Sequence, residues 1–203
     1  MVSLVFRPGE FDFYPQFVLR YNRDMRIKPI LFFAVVGLIA GVLIYRQADP
    51  NVIAVGRPAP EFAVKDQSGN VLKLGDLRGN LVFLNFWKSD CGPCVQEMPD
   101  MEVMSHAFKD RKFKMVTISV DTDWKPVNEF FNKYRLTMPV YLDPGRDAFD
   151  AYHLTGYPET FLIDGKGVLL KHTIGPDRWA SDSVLAYVDK LIKDQETPQR
   201  ASE

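Results

Sequence analysis

An apolar run, Leu81-Val82-Phe83-Leu84-Asn85-Phe86-Trp87, leads to the only two cysteines of the chain, placed as Cys91-Gly92-Pro93-Cys94, and a helical pattern opening Val95-Gln96-Glu97-Met98 follows them. A Cys-x-x-Cys pair can bind metal, form a structural disulfide or cycle electrons. A strand that delivers a dithiol to the start of a helix is the redox arrangement. The helix N-terminus carries partial positive charge, which stabilises a thiolate at the first cysteine. The thiolate is the attacking species, so Cys91 is the expected nucleophile and Cys94, inside the helix, the expected resolving thiol. The other two uses fit poorly. A structural zinc site needs four ligands; no second Cys-x-x-Cys exists, and His106, His153 and His172 are scattered without ligand spacing. A disulfide closing so short a loop adds little to the stability of a domain this size.

The chain has 203 residues, 46% of them hydrophobic, and a net charge of −1. That is enough for one full domain with appendages, and it leaves no global field to attract nucleic acid. No glycine-rich phosphate loop is present. The run from Ile30 to Tyr45 carries no charge. As a helix it spans about 24 Å, a little short of a ~30 Å hydrocarbon core, and Pro29 with the snorkelling stems of Lys28 and Arg46 can cover the deficit. No polar face interrupts the run, and Tyr45-Arg46-Gln47-Ala48 is a poor small-residue cleavage site. The expectation is an uncleaved single-pass anchor over residues 29–46. Arg20, Arg23, Arg26 and Lys28 precede it, so the positive-inside bias holds residues 1–28 in the cytoplasm. The cysteines then lie on the outer side of a bacterial inner membrane, in the periplasm. Met25-Arg26-Ile27-Lys28 reads as a complete start for such an anchor, and residues 1–24 show no structural period, so Met25 is the expected initiator.

Residues 47–55 read as a linker. Phe62-Ala63-Val64 and Val71-Leu72-Lys73-Leu74 flank Asp66-Gln67-Ser68-Gly69-Asn70 as a hairpin. After the strand Leu81–Trp87, residues 93–110 form a helix with Pro99 inside it. Phe113–Val120 is a β-branched strand, Pro126–Tyr134 a helix, Pro139–Asp143 a strand, and Asp147–Tyr152 a short helix. Thr160–Ile163 and Val168–His172 form a second hairpin around Asp164-Gly165-Lys166-Gly167. Ser181–Lys193 closes as an amphipathic helix, and residues 194–203 are expected to be a mobile polar tail. Alternating strands and helices give an α/β domain over residues 56–193, with a mixed sheet and helices on both faces.

Trp87-x-x-x-Cys91-Gly92-Pro93-Cys94, then Pro99, then Gly156-Tyr157-Pro158-Glu159-Thr160-Phe161-Leu162-Ile163-Asp164, resembles the thioredoxin-like superfamily. The opening Gly56-x-x-Ala59-Pro60-x-Phe62, the early hairpin and the apolar run resemble its TlpA/ResA/DsbE (CcmG) branch of membrane-anchored thiol–disulfide oxidoreductases. The resemblance implies a thioredoxin-like fold. It makes Cys91 the nucleophile, Cys94 the resolving thiol and Pro158 a cis-proline that presents the backbone of Tyr157 to a substrate chain. It places Trp87, Pro93, Tyr157, Pro158 and Glu159 at the substrate surface, and Glu97, one helical turn past Cys94, at an acidic position near the thiols. It implies no cofactor beyond the Cys91–Cys94 disulfide and no metal. Its partners would be protein disulfides, from apocytochrome c or copper-oxidase assembly, and a membrane thiol reductant of the DsbD/CcdA type. The Gly92-Pro93 dipeptide is that of thioredoxin itself, which points to a reducing potential.

Two positions depart from the pattern. Asp90 stands where most relatives carry an aromatic residue; its charge disfavours the Cys91 thiolate, with Lys88 near enough to offset it. Asn85 stands where thioredoxin has a buried acid, so proton handling passes to Glu97. Two other functions stay open. A thiol peroxidase wants threonine and proline where this chain has Lys88 and Leu84. A Cu(I) chaperone would use Cys91 and Cys94 with Met98, Met101 and Met104, and a histidine such as His153 or His172. A methionine stripe at helical spacing is more often core packing.

Overall fold

The structure is a computed structural model and describes residues 32–42 and 53–196. The chain divides into two units, Met1–Asp49 and Pro50–Glu203. In the first, residues 32–42 form helix α1, every residue of it exposed. Among the described residues, no helix is long and apolar enough to cross a membrane. The rest of the expected anchor, and Met25, lie outside the described residues.

The second unit contains β1 (Ala63–Lys65), β2 (Val71–Lys73), a 3-10 turn (Leu74–Leu77), β3 (Leu81–Trp87) and α2 (Gly92–Phe108). It continues with β4 (Phe113–Ser119), α3 (Trp124–Tyr134), β5 (Val140–Leu142), α4 (Asp147–Ala151), β6 (Glu159–Ile163), β7 (Leu169–Ile174) and α5 (Asp182–Glu196). The sheet order is β2-β1-β5-β4-β3-β6-β7. β3, β4 and β5 run parallel, and β6, β7 and the β1–β2 hairpin are antiparallel to their neighbours. This is the mixed sheet of a thioredoxin-like fold.

β3 lies centrally, with β4 on one side and β6 on the other, and all seven of its residues are buried. Side chains alternate between the two faces of a strand. Leu81, Phe83 and Trp87 therefore join a core under α2, α3 and α5, with Met98, Met101, Met104, Val127, Phe130, Val188 and Ile192. Val82, Leu84 and Phe86 join a second core with Leu74, Leu77, Phe149, Tyr152 and Phe161. Helices thus cover both faces. The three methionines are fully buried, each contributing roughly 1.5–3 kcal/mol of apolar burial.

Local chemistry sets the element ends. α3 begins two residues ahead of the expected Pro126, because Asp123 caps it by accepting the Lys125 N–H at 2.9 Å. The hairpin loop is closed by Asp66, which accepts the backbone and side-chain N–H of Asn70, both at 2.8 Å. Gly69 takes a φ of 86° there, a conformation that disfavours side chains.

The expectation of a mobile tail from residue 194 is corrected for its first three residues. α5 runs on to Glu196. Arg111 forks onto the Glu196 carboxylate at 2.7 and 2.8 Å and reaches Asp189 at 3.1 Å, while the Gln195 side chain accepts the Gly165 N–H at 2.8 Å. These contacts come from distant β-loops, so no local helical signal announces them. Residues 197–203 lie outside the described residues.

Candidate active site

β3 ends at Trp87, and the chain turns through Lys88-Ser89-Asp90 into α2. Asp121, buried just beyond β4, holds that turn. Its carboxylate accepts the Ser89 N–H at 3.0 Å, the Ser89 hydroxyl at 2.8 Å and the Ser119 hydroxyl at 2.7 Å. Cys91 is the N-cap of α2. It is joined to Cys94 as a disulfide, with Cα atoms 5.3 Å apart. The Cys91 sulfur accepts the Cys94 N–H at 3.2 Å. This N–H and the helix dipole are both aimed at the sulfur that would carry charge after reduction. Cys91 is half-buried and Cys94 has no exposure, so an incoming partner meets Cys91 first.

Lys88 pairs with Asp90 at 2.8 Å. The hydrogen bond to Asp90 pushes the Lys88 pKa upward. The charge of Asp90 is thereby offset beside the dithiol, as the sequence anticipates. Aromatic surface missing at position 90 is supplied instead from α3. A groove of about 380 Å³ beside the first turn of α2 is lined by Ser89, Asp90, Gly92 and Val95 and, from α3, by Phe130 and Tyr134.

The Tyr157–Pro158 bond is cis. The Tyr157 carbonyl oxygen lies 3.8 Å from the Cys91 sulfur. The half-buried Tyr157 ring packs on Phe149 at 5.6 Å, and its hydroxyl accepts from Arg146 at 3.4 Å. Pro158 is buried, and its carbonyl accepts the Gly175 N–H at 2.9 Å. Pro93 is exposed in the first turn of α2. Cys91, Pro93, Tyr157 and Pro158 are thus brought together at one end of the sheet.

Two expected surface residues are not at the surface. Trp87 is fully buried, with its ring 4.9 Å from Phe130 and 5.7 Å from Phe131. It is the last inward position on β3, so it braces the turn from below. Glu159 is 2% exposed. β6 starts at Glu159, one residue earlier than the sequence implies, and alternation sends this side chain to the same face as Phe161 and Ile163. Its Oε1 accepts the Thr155 N–H at 2.9 Å, the Thr155 hydroxyl at 3.2 Å and the Gly156 N–H at 3.3 Å. Its Oε2 meets His172 Nε2 at 2.7 Å, and the His172 ring stacks on Phe161 at 4.2 Å. Glu159 therefore staples the loop that carries Tyr157. Glu159→Ala removes the acceptor of two part-buried N–H groups and of His172, so it should cost about 3 kcal/mol. Thermal or urea unfolding checks this: a midpoint drop of roughly 10 °C is expected, and a change below about 2 °C would contradict the staple.

Glu97 is also buried, 1% exposed. Its Oε1 accepts Asn85 Nδ2 at 2.9 Å; its Oε2 accepts Trp179 Nε1 at 2.7 Å and the Asp177 N–H at 3.3 Å. Burial pushes its pKa up to about 7, against the opposing pull of these three donors. Asn85 also donates to Thr160 Oγ1 at 2.9 Å, while its Oδ1 is a buried acceptor without a partner. Glu97 and Cys94 are three residues apart on α2 and share a face. Trp179, Asp177 and Asp121 escape sequence reasoning. Trp179 reaches Glu97 across 82 positions, and no local pattern flags such a pairing.

Met98, Met101 and Met104 are spent on the core, and His172 is held by Glu159 and Phe161. Among the described residues, no group of three or more His, Cys, Asp or Glu is arranged to hold a metal ion. Lys88, where a peroxidase would carry threonine, points to Asp90.

Residues 55–172 match the AhpC/TSA family. The thiol-disulfide oxidoreductase ResA of Bacillus thuringiensis (strain Al Hakam) is 34% identical over 173 residues, covering 82% of this chain and 99% of the relative. ResA of Bacillus subtilis (strain 168) is 35% identical over 150 residues, covering 74% of this chain and 82% of the relative. The crystal structure of a DsbE-type thiol:disulfide interchange protein from Chlorobium tepidum superposes with a TM-score of 0.61 at 29% identity, over 72% of this chain and 100% of that one. The reactive dithiol at a strand-to-helix junction, the cis X-Pro bond facing it and the length of these matches agree: the chain belongs to the AhpC/TSA family, as a thioredoxin-like thiol-disulfide oxidoreductase of the ResA/DsbE/TlpA type.

Proposed function

We propose that the protein reduces disulfides of partner proteins outside the cytoplasm, in the maturation of c-type cytochromes or of copper-containing oxidases. The observation that carries this is the asymmetry of the dithiol: an accessible Cys91 at a helix N-cap, and a buried Cys94 one turn from a buried acid. The reduced Cys91 thiolate attacks one sulfur of the partner's disulfide. That S–S bond breaks, a Cys91–partner disulfide forms, and the departing partner thiolate takes a proton. Cys94 then loses its proton to the Glu97 carboxylate and attacks Cys91. The mixed disulfide breaks, the second partner thiolate leaves, and the Cys91–Cys94 disulfide forms. Two electrons pass to the partner, and a membrane thiol reductant of the DsbD/CcdA type returns them. The partner chain lies along the Tyr157 backbone in an extended conformation, with side chains reaching the groove beside Asp90 and Tyr134. Residues 29–46 anchor the protein with its catalytic unit in the periplasm, which the basic flank before the apolar run supports.

Deleting the gene tests this role. The proposal expects loss of covalently attached haem or of oxidase copper, restored by an added small-molecule dithiol. Unchanged cytochromes and unchanged oxidase copper would overturn it.

A further inference from the structure

We propose that Trp179 is a positioning residue for the proton chemistry of the dithiol: its indole N–H fixes how readily Glu97 gives up and takes back a proton. The inference rests on the reading of Glu97 as the acceptor of the Cys94 proton. Trp179 lies between β7 and α5, far in sequence from the cysteines, and is 1% exposed. Its ring packs edge-on against Phe83 at 4.9 Å and 87°. The central strand thereby fixes the direction of the N–H, which meets Glu97 Oε2 at 2.7 Å.

An indole N–H and a backbone N–H can only donate. Oε2 faces one of each, from Trp179 and Asp177, so a proton arriving on Glu97 has no acceptor at that oxygen. It must sit on Oε1, opposite Asn85. A half-turn of the Asn85 amide then brings its unpartnered Oδ1 round to accept it. Trp179 therefore favours the carboxylate and dictates which oxygen is protonated. A surface cavity of about 250 Å³, lined by Gln96, Glu97, Asp100, Pro176, Asp177 and Arg178, lies beside this carboxyl, which is itself 1% exposed. The carboxylate of Asp177 opposes the ionisation of Glu97, and Asp100 and Arg178 line the same surface cavity. Asn85 and Thr160 on the β-strands are neutral, and Cys94 stands one turn earlier on α2.

Trp179→Phe keeps a ring against Phe83 and deletes the N–H. Two readouts on the full chain in detergent test the idea. The first is the pH midpoint of the infrared carboxylic-acid band that Glu97→Gln removes. The second is the rate at which Cys94 releases thionitrobenzoate from a mixed disulfide at Cys91, a step from which Cys91 ionisation is already gone. Losing one donor to the charged form should move both midpoints upward by about one pH unit, a tenfold slower release on the rising limb with the high-pH plateau unchanged. If Glu97→Gln abolishes the limb but Trp179→Phe leaves both midpoints in place, the role of Trp179 is overturned and that of Glu97 stands. If the limb survives in Glu97→Gln, the underlying reading fails, and this inference with it. A measurement without substitution guards against a variant that does not fold. In the unaltered protein the Trp179 indole N–H resonance should shift with pH at the midpoint of the Glu97 band, and a flat response contradicts the proposal.

Discussion

Cys94→Ser stops turnover at the mixed disulfide. Disulfide reduction should fall by roughly 10³-fold or more, and intact mass should show a partner or probe thiol attached through Cys91. The asymmetry of the site dictates the outcome. Cys91 is half-buried at the N-cap and keeps its N–H donor, whereas Cys94 has no exposure and acts only on a disulfide already formed with Cys91. Cys91→Ser should lose turnover to the same degree and trap nothing. Adducts forming in Cys91→Ser but not in Cys94→Ser would reverse the two roles.

Glu97→Gln should produce a slower enzyme and, at alkaline pH, a more stable protein. The Glu97 pKa is raised from 4.5 to about 7 in the folded state. As pH climbs through 4.5 the unfolded chain releases this proton while the folded chain retains it, so stability declines across the window from about 4.5 to about 7. Above pH 7 the full cost of the buried charge is present, about 3 kcal/mol. Glutamine carries no such charge. Its amide can still accept from Trp179 and, after the Asn85 amide turns, donate to the Asn85 Oδ1 that has no partner in the wild type. The variant should therefore gain about 1–3 kcal/mol over wild type at pH 8 and little at pH 4.5, measured by urea unfolding at both values. Resolution of the mixed disulfide should slow by about 10²-fold, the scale of a lost general base. Equal stability at pH 8 together with an unchanged rate would mean that Glu97 neither carries charge nor handles protons.

Much of this was legible because it is local. The seven-residue β3 is bounded by residues that break its apolar run, the hairpin by Asp66 and Gly69, and the dithiol by its place between strand and helix. Asn85 in the place of an acid points to Glu97, and the structure joins the two by a hydrogen bond. The burial of Glu97 was not legible, because it depends on Trp179 and Asp177, brought in by the turn after β7. Glu159 was misplaced for a geometric reason. With β6 starting one residue later, its side chain would belong to the loop; with β6 starting at Glu159 itself, the pleat turns it inward to His172. The end of α5 was missed because Arg111, not helix propensity, holds Glu196.

The most direct measurement is the reduction potential of the Cys91–Cys94 couple, taken on the full chain against a glutathione series. A thiolate stabilised only by one N–H and the helix N-terminus, with Asp90 offset by Lys88, predicts a reductant with a potential near or below about −220 mV. A value near about −120 mV would make the protein an oxidant and contradict electron flow from Cys91–Cys94 to partner disulfides.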